Sequence, residues 1–222
     1  MNSSERKIKV AAVIPFFNEE NFILDVVTRT LNYVDFVIAV DDGSTDNSAA
    51  LLKNFENLIL VSNEKNFGKG FALQKGFEKA VSLKAEIIIT LDADDQHKPE
   101  MIPDFIEGIK DCDLIIGNRL HDISSMPLHR RFSNKITSYL LSKKLGIEIK
   151  DSQCGFRAYR LEVLEKVKTI FSGFEAESEM IVKAARNNFK IKFIDIPTIY
   201  GNQKSKMKSF QAIKGFIKVL MI

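Results

Sequence analysis

The stretch Ile87–Glu100, IIITLDADDQHKPE, runs from apolar residues directly into a cluster of acids. Asp92, Asp94 and Asp95 fall within four positions, and their mutual repulsion at neutral pH opposes packing them together. Two interpretations compete. The segment is either a solvated turn that caps a helix beginning at Pro99, or a cation site at the end of a buried strand. The sequence on either side of it decides between them.

Short β-rich runs alternate with helical patterns through the first half of the chain. The predicted strands are Val10–Ile14, Phe36–Val40, Leu58–Val61, Glu86–Leu91 and Leu114–Gly117, with helices near 20–33, 46–55, 69–82 and 99–110. This alternation predicts right-handed β-α-β units. The second half adds helical patterns at 128–145 and 175–188, a strand at 191–196 and a helical tail from Phe210. We therefore predict an α/β fold, a mostly parallel sheet flanked by helices, in a single domain over residues 1–222.

Ligands of such a sheet bind at the carboxyl ends of its strands. The segments that follow the five predicted strands are PFFNEE, DDGSTDNS, SNEKNFGKG, DADDQH and NRLHD. All of them are rich in acids, amides or glycines, and the fold would bring them to one edge. This shared location favours a functional role for the acid cluster.

The DADDQH segment has the spacing of a cation site. Asp92, Asp94 and Gln96 alternate, and alternate side chains of an extended backbone share a face, so their oxygens can converge. Oxygen ligands of this kind suit Mg²⁺ or Mn²⁺. A capping turn before Pro99 explains many D-x-D strings, but the position after a buried strand favours the metal.

The two preceding loops are less specific. Asp41 or Asp42 could accept hydrogen bonds from ribose hydroxyls or a base N–H, whereas the residues that follow, 44–46, are good helix caps. NFGKGFALQKG fits neither the P-loop nor the dinucleotide pattern. It predicts a helix entered through glycines, with Lys69 as a possible ligand contact.

The positive charge is concentrated in the tail. The net charge is only +3, yet no acid follows Asp195, and the lysines beyond it are Lys204, Lys206, Lys208, Lys214 and Lys218. Such a tail suits an anionic lipid surface or a phosphate, and we expect no nucleic-acid partner. The N-terminus lacks a secretory apolar core, and no apolar run reaches the ~20 residues of a membrane span. We expect a soluble, cytoplasmic protein.

Six segments, in order, resemble the successive motifs of one family. They are IPFFNEE, VDDGSTDNS, NFGKGFAL, LDADDQHKPE, GNR and DSQCGFRAY. The chain resembles the inverting family 2 glycosyltransferases, which have the Rossmann-like GT-A fold, and in particular the dolichyl- or polyprenyl-phosphate sugar synthases such as dolichol-phosphate mannose synthase. The similarity covers almost the whole chain.

The resemblance implies an activity. It implies a metal-dependent inverting transfer of a hexose, mannose or glucose, from GDP-mannose or UDP-glucose to a polyprenyl or dolichyl phosphate. It also implies an enzyme peripheral on the cytoplasmic face of the membrane. Residues up to about 120 would form the nucleotide-sugar half, and residues from about 121 to 222 the acceptor half with the basic C-terminal segment.

The resemblance also implies a role for each matching residue. Nucleotide-sugar contacts would come from Pro15, Phe17, Glu19, Val40, Asp42, Asp92, Ala93, Asp94 and Lys206. The ligands of Mg²⁺ or Mn²⁺ would be Asp92, Asp94 and Gln96. Asp94 and Arg119 would act in catalysis, and the acceptor phosphate would be held by Arg119, Arg130 and Arg131.

Two other activities stay open. A family 2 enzyme that glycosylates a sugar hydroxyl, in polysaccharide or glycoconjugate synthesis, needs a general base. Glu175 or Glu177 would supply it, although acids also suit the exposed first turn of a helix. A sugar nucleotidyltransferase also uses paired acids with Mg²⁺, but no G-x-G-T-R loop follows the first strand. That activity ranks lowest.

Two helical stretches have an apolar face. In the first, the apolar residues are Leu128, Phe132, Ile136, Tyr139 and Leu140. In the tail they are Phe210, Ile213, Phe216, Ile217 and Leu220, with Lys214 and Lys218 on another face. Either face could pack on the domain. A partly open first face could instead shelter isoprene units, and the tail could lie on a membrane.

Overall fold

A seven-stranded sheet forms the centre of the computed structural model, which describes residues 8–53, 55–199 and 209–222. The strands are β1 (Val10–Phe16), β2 (Phe36–Asp41), β3 (Leu58–Ser62), β4 (Ile87–Thr90), β5 (Leu114–Asn118), β6 (Arg157–Arg160) and β7 (Ile191–Asp195). Across the sheet they lie in the order β3-β2-β1-β4-β6-β5-β7. Neighbouring strands pair in parallel, except that β6 is antiparallel to both β4 and β5. The α/β prediction with a mostly parallel sheet is confirmed.

Helices cover the sheet. They are α1 (Ile23–Thr30), α2 (Ser48–Leu51), α3 (Lys69–Ser82), α4 (Ile102–Gly108), α5 (Leu128–Leu145), α6 (Leu161–Lys166), α7 (Glu175–Arg186) and α8 (Ser209–Met221). Strands β1, β2 and β4 are buried along their whole length, as expected of strands covered on both faces. Helix α3 approaches the sheet closely at Gly76, where a Cβ atom would lie only 2.2 Å from Cγ1 of Val13.

Two predicted helices have the bounds expected from sequence, and glycines set one end of each. Helix α3 begins after Gly68, whose φ of 104° is disfavoured for other residues. Helix α5 ends at Gly146, which takes the left-handed conformation with φ of 68°. The predicted strands are also confirmed, to within two residues at each end.

The helix predicted near 46–55 is present but shorter than expected, because polar groups at its start bond to the loop after β1 instead. Ser48 Oγ accepts from the Glu19 backbone N–H at 2.8 Å, and the Thr45 N–H donates to Asn18 Oδ1 at 2.8 Å. These side chains compete with helical hydrogen bonds, so only the four-residue α2 remains. The bonds join the loops after β1 and β2.

Strand β6 and helix α6 were not predicted. The strand's sequence, RAYR, carries a charge at each end, and Arg157 is fully buried. Its guanidinium donates to the backbone carbonyls of Cys154, Glu177 and Ser152 at 2.7, 2.7 and 3.1 Å. The buried charge is satisfied by backbone oxygens, which a hydrophobicity pattern cannot show.

Helix α8 confirms the helical prediction for the tail and packs on α7 and α5. Val219 is buried, Lys144 Nζ donates to the Leu220 carbonyl at 3.1 Å, and Arg186 Nη2 donates to the Ile222 carbonyl at 2.6 Å. These cations satisfy carbonyls that the helix end leaves unpaired. In the part of the chain that the structure describes, no helix combines the length and apolarity needed to cross a bilayer.

Candidate active site

The carboxyl ends of β2, β1 and β4 lie side by side at one edge of the sheet. Phe16 of β1 pairs with Asp41 of β2, and Val13 pairs with Thr90 of β4, so the segments that follow these strands emerge together. Strand β5 runs in the same direction as β4, because both are antiparallel to β6. The loops expected to meet at one edge therefore do so.

The acid cluster is a defined turn in which the three aspartates differ. Asp95 has a left-handed backbone with φ of 58°, a conformation that aspartate tolerates better than most residues. Its carboxylate accepts from Arg29 at 2.7 Å, and the same guanidinium holds Glu100 at 2.8 Å and Asp25 at 2.9 Å. Asp95 thus fixes the turn to α1 and to the start of the next helical segment. One acid therefore shapes the turn, and the cation site at Asp92 and Asp94 stays a prediction.

His97 holds the backbone of the turn at Asp92. Its ring is buried against Phe156, and its Nδ1 accepts the backbone N–H of Asp92 at 3.2 Å. Burial lowers the pKa of His97 to about 4, so the ring is neutral at pH 7. A neutral ring that accepts at Nδ1 carries its proton on Nε2, which faces Cys154 Sγ at 4.0 Å. Sequence reasoning gave His97 no role, because a lone histidine has no spacing to detect.

Lys69 forms a buried ion pair with Asp92. Lys69 Nζ lies 2.5 Å from Asp92 Oδ1 and 3.0 Å from Glu177 Oε1. Burial alone would raise the pKa of Asp92, but the charge of Lys69 outweighs it and lowers that pKa to about 2. Burial would likewise lower the pKa of Lys69, but the two acids raise it above its usual range. Lys69 and Asp92 are therefore both charged at neutral pH.

Asp94 lies beside this pair and is harder to ionise. Burial first, and then the charge of Asp92, raise the pKa of Asp94 to about 6. Its Oδ1 accepts the Gln96 backbone N–H at 3.1 Å. A cation between the two carboxylates would relieve their repulsion, so the donor set of Asp92, Asp94 and the Gln96 amide fits a hard divalent ion. Two carboxylates and one amide leave coordination positions open, which substrate or water oxygens would fill. The described residues include no cluster of three or more His, Cys, Asp or Glu side chains that could hold a metal by itself.

Asp42 holds the loop that leads into α3. Its Oδ1 accepts from Asn63 Nδ2 at 2.9 Å and from the Phe67 N–H at 3.0 Å, and its Oδ2 accepts from the Gly68 N–H at 2.8 Å. These bonds give Asp42 a structural task that sequence reasoning missed. The prediction that it contacts the ribose or base stays a prediction.

The other predicted nucleotide-sugar residues lie along the same edge. Pro15 pairs with Val40 across β1 and β2, and both are buried. Ala93 is buried between the two acids of the turn, whereas Phe17 and Glu19 are half-buried after β1. Their contacts with a ligand stay predictions, and Lys206 lies outside the described residues.

The predicted acceptor arginines have different partners. Arg119 grips the fully buried Asp151 with two nitrogens, Nε at 2.8 Å from Oδ2 and Nη2 at 3.1 Å from Oδ1. Burial would raise the pKa of Asp151, but Arg119 lowers it below its usual range. Arg131 donates to the carbonyls of Met126 and Ser124 at 2.5 and 3.1 Å. Arg130 is half-buried at the start of α5.

Comparison with known proteins points to one family. A family model described as glycosyl transferase family 2 matches residues 11–168, which is more than half of the chain. The UDP-N-acetylglucosamine–dolichyl-phosphate N-acetylglucosaminyltransferase of Methanococcus voltae is 32% identical, with 92% of this chain and 90% of that protein covered. The undecaprenyl-phosphate 4-deoxy-4-formamido-L-arabinose transferase of Proteus mirabilis is 27% identical, with 96% of this chain and 66% of that protein covered.

A solved structure confirms the fold. Glucosyl-3-phosphoglycerate synthase from Mycobacterium tuberculosis, in complex with Mn²⁺, UDP-glucose and phosphoglyceric acid, matches with a TM-score of 0.74. The match covers 96% of this chain and 80% of that chain at 18% identity. It identifies the architecture as the GT-A fold. The match to the family model and the similarity to the 32% identical relative show that the chain is a glycosyltransferase that belongs to glycosyl transferase family 2.

Proposed function

We propose that the chain moves a hexose, mannose or glucose, from GDP-mannose or UDP-glucose to a polyprenyl or dolichyl phosphate at the cytoplasmic face of a membrane. The observation that carries the proposal is the turn at the end of β4, where Asp92 and Asp94 lie together at the carboxyl edge of the sheet. Two relatives support the acceptor, since their names specify dolichyl phosphate and undecaprenyl phosphate. We further propose that residues up to about 120 bind the donor and that the remainder of a single domain completes the acceptor side.

The proposed chemistry places developing charge beside the acid turn. Asp92, Asp94 and Gln96 would hold Mg²⁺ or Mn²⁺, which would stabilise the negative charge on the departing nucleoside diphosphate. Asp95 and His97 keep the turn in shape through Arg29 and the Asp92 N–H. The acceptor would attack the anomeric carbon from the opposite face and invert it.

A phosphate acceptor fits the second half better than a hydroxyl acceptor. A phosphate is already anionic and needs no base, whereas a hydroxyl does. Glu177, one of the two candidate bases, is buried, and its Oε1 lies 3.0 Å from Lys69 Nζ, which limits its access to a substrate. Glu175 lies against α8, since a Cβ atom at Gly215 would be 2.8 Å from its Oε2. Both acids thus have contacts within the protein, which favours the phosphate acceptor.

The donor and the cation are tested first by thermal unfolding. Purified protein would be offered GDP-mannose, UDP-glucose and UDP-N-acetylglucosamine, each with and without Mn²⁺. We expect one donor to raise the unfolding temperature, and to do so more strongly with Mn²⁺, because a ligand that binds only the folded state stabilises it. No shift with any donor would contradict the proposed donor class.

Substitutions of the two arginines near the start of α5 test whether the acceptor is a polyprenyl phosphate. We expect Arg131→Ala, and separately Arg130→Ala, to raise the KM for a polyprenyl phosphate while leaving the KM for the donor nearly unchanged, because arginine binds phosphate through a planar fork. Arg131 also holds the loop at Ser124 and Met126, so Arg131→Lys is the matched variant that keeps the charge and loses the fork.

Transfer to a free sugar hydroxyl with no use of prenyl phosphates would contradict this acceptor. An unchanged KM in both alanine variants would contradict the assignment of the two arginines. The stability of each variant is measured beside its kinetics, so that a collapsed loop is not mistaken for a lost phosphate contact.

Exposed apolar side chains support a peripheral membrane position. Leu128, Phe132 and Tyr139 of α5 are 77, 71 and 66% exposed, and Ile213 and Ile217 of α8 are 59 and 51% exposed. The exposed Lys214 and Lys218 adjoin the latter pair along the helix. Apolar side chains flanked by lysines suit the interface of an anionic bilayer.

We expect the protein to float with vesicles that contain anionic lipid. Binding should weaken in Phe132→Ser and Ile217→Ser, since each removes exposed apolar area, and in Lys214→Gln/Lys218→Gln, which removes charge. Val219, on the buried face of α8, offers a contrast, because Val219→Ala should lower stability without weakening flotation. Equal absence of binding to neutral and anionic vesicles would exclude the membrane position.

A further inference from the structure

The ammonium group of Lys69 lies next to Asp92, one of the proposed cation ligands. Its Nζ lies 2.5 Å from Asp92 Oδ1 and 3.0 Å from Glu177 Oε1, and only 14% of the lysine side chain is exposed. The lysine opens α3, Asp92 follows β4 and Glu177 lies in the first turn of α7. One ammonium group therefore serves two acids from separate elements.

Gly155 closes this cluster on one side. A Cβ atom at residue 155 would lie 2.8 and 2.9 Å from the two carboxylate oxygens of Asp92 and 2.9 Å from Lys69 Nζ. The side chain of Asp92 still keeps 29% of its surface exposed. A ligand can thus reach the carboxylate from solvent while the lysine stays in place.

A divalent cation bound to Asp92 would be repelled by the adjacent ammonium. The repulsion is strong because the lysine is buried, where charges are poorly screened. A bound nucleoside diphosphate changes this balance, since its phosphates carry negative charge that attracts both cations.

We propose that Lys69 acts as an internal counter-ion of Asp92, so that tight divalent-cation binding requires the diphosphate of the donor. This rests on the proposed function, because it takes Asp92 as a cation ligand. Glu177 weakens the repulsion between Lys69 and a cation on Asp92, because its carboxylate also pairs with the lysine ammonium. Lys69 and Glu177 are then positioning residues that order the binding of cation and nucleotide.

The proposal is tested by titrating the protein with Mn²⁺ and following free Mn²⁺ by electron paramagnetic resonance. Without nucleotide, we expect Lys69→Met to bind Mn²⁺ about tenfold more tightly than the wild type, because a repelling charge is removed. We expect Glu177→Gln to bind about tenfold more weakly, because the full lysine charge then acts on Asp92. Lys69→Arg keeps the charge and should resemble the wild type.

The same titrations are repeated with UDP and with GDP, corrected for the Mn²⁺ that each nucleotide binds alone. We expect the advantage of Lys69→Met to shrink or reverse, because the phosphates then gain from the lysine charge. The control variants are Lys75→Met and Glu78→Gln, which break an exposed ion pair of 3.7 Å on the same helix and should leave Mn²⁺ binding unchanged.

The opposite signs of the two main variants separate an electrostatic role from a merely structural one. A damaged site would weaken Mn²⁺ binding in both, and that result would overturn the proposal, as would unchanged binding in both. Circular dichroism checks that Lys69→Met folds, and Glu177→Gln, which preserves the shape of the side chain, gives an independent result. If the wild type binds no Mn²⁺ even with nucleotide, the proposed metal site fails instead.

Discussion

Asp94→Asn is expected to lower the rate of sugar transfer by about a hundredfold or more, because a ligand of the cation that stabilises the leaving diphosphate is lost. The same change should leave the fold intact or slightly more stable at pH 7. Burial and the charge of Asp92 raise the pKa of Asp94 to about 6, so the folded state disfavours its charged form. The expected signature is a stable, inactive enzyme, measured by kcat and by urea unfolding.

Asp95→Asn is the matched control for this prediction. Asp95 lies in the same turn, but its carboxylate is bound by Arg29 at 2.7 Å, so its loss should affect stability more than rate. The pair is partly exposed, and the cost in free energy of unfolding should be about 1 kcal/mol or less. Full activity of Asp94→Asn, or of the wild type in excess EDTA, would contradict the metal assignment.

Arg119→Ala is expected to lower the free energy of unfolding by about 3–5 kcal/mol, because it leaves Asp151 as a buried, unpaired charge. The Arg119 side chain is 13% exposed and that of Asp151 is fully buried. A double-mutant cycle with Asp151→Leu and Arg119→Met tests this. The double variant should be more stable than the sum of the single effects predicts, since no charge is then left alone.

The pH dependence of this pair has a definite sign. The pKa of Asp151 lies below its usual value in the folded state, so its stabilisation is present above the ordinary aspartate pKa. This stabilisation is lost as the pH falls through the lowered pKa of Asp151 in the folded state. The stability difference between the wild type and Asp151→Asn should therefore shrink on acidification. If Arg119→Ala lowered the free energy of unfolding by less than about 1 kcal/mol, as expected for an exposed ion pair, that result would contradict the stabilising role of this buried pair.

The ion pair between Arg119 and Asp151 limits what a substitution of Arg119 can show about the acceptor. An Arg119→Ala variant with altered kinetics would not by itself show a phosphate contact, because the fold around Asp151 changes too. The substitutions at Arg130 and Arg131 are better tests of the acceptor. The described bonds of Arg131 go to the backbone carbonyls of Met126 and Ser124, whereas Arg119 carries the ion pair with the buried Asp151.

The hydrophobic pattern of the sequence predicted those helices and strands whose buried residues are apolar. Strands such as β1 and β4 are continuous apolar runs, and α3 and α5 are bounded by glycines, so their positions could be inferred. Strand β6 could not, because Arg157 is stabilised by backbone carbonyls that only the tertiary structure supplies. The helix predicted near 46–55 is shorter than expected for a related reason, since its polar side chains bond to another loop.

The acid turn was predicted, but the contacts that tune it were not. Asp92 and Asp94 are close in sequence, and their spacing together with their position after a buried strand suggests a cation site. Lys69 and Glu177 come from elements far away in the chain, so no local pattern could place them against Asp92. The sequence offered Glu175 or Glu177 as the base for the alternative hydroxyl acceptor, whereas Glu177 forms an ion pair with Lys69.

The position of β6 has a consequence for synthesis on the ribosome. Strand β5 pairs with β6 and β7, and β4 reaches β5 only through β6. Until Arg157–Arg160 leaves the exit tunnel, the nascent chain therefore carries the apolar β4 with one unpaired edge and β5 with no neighbour from the earlier strands. Exposed edges of this kind recruit other chains. We expect the edges of β4 and β5 to stay open to other chains during synthesis until β6 pairs with both of them.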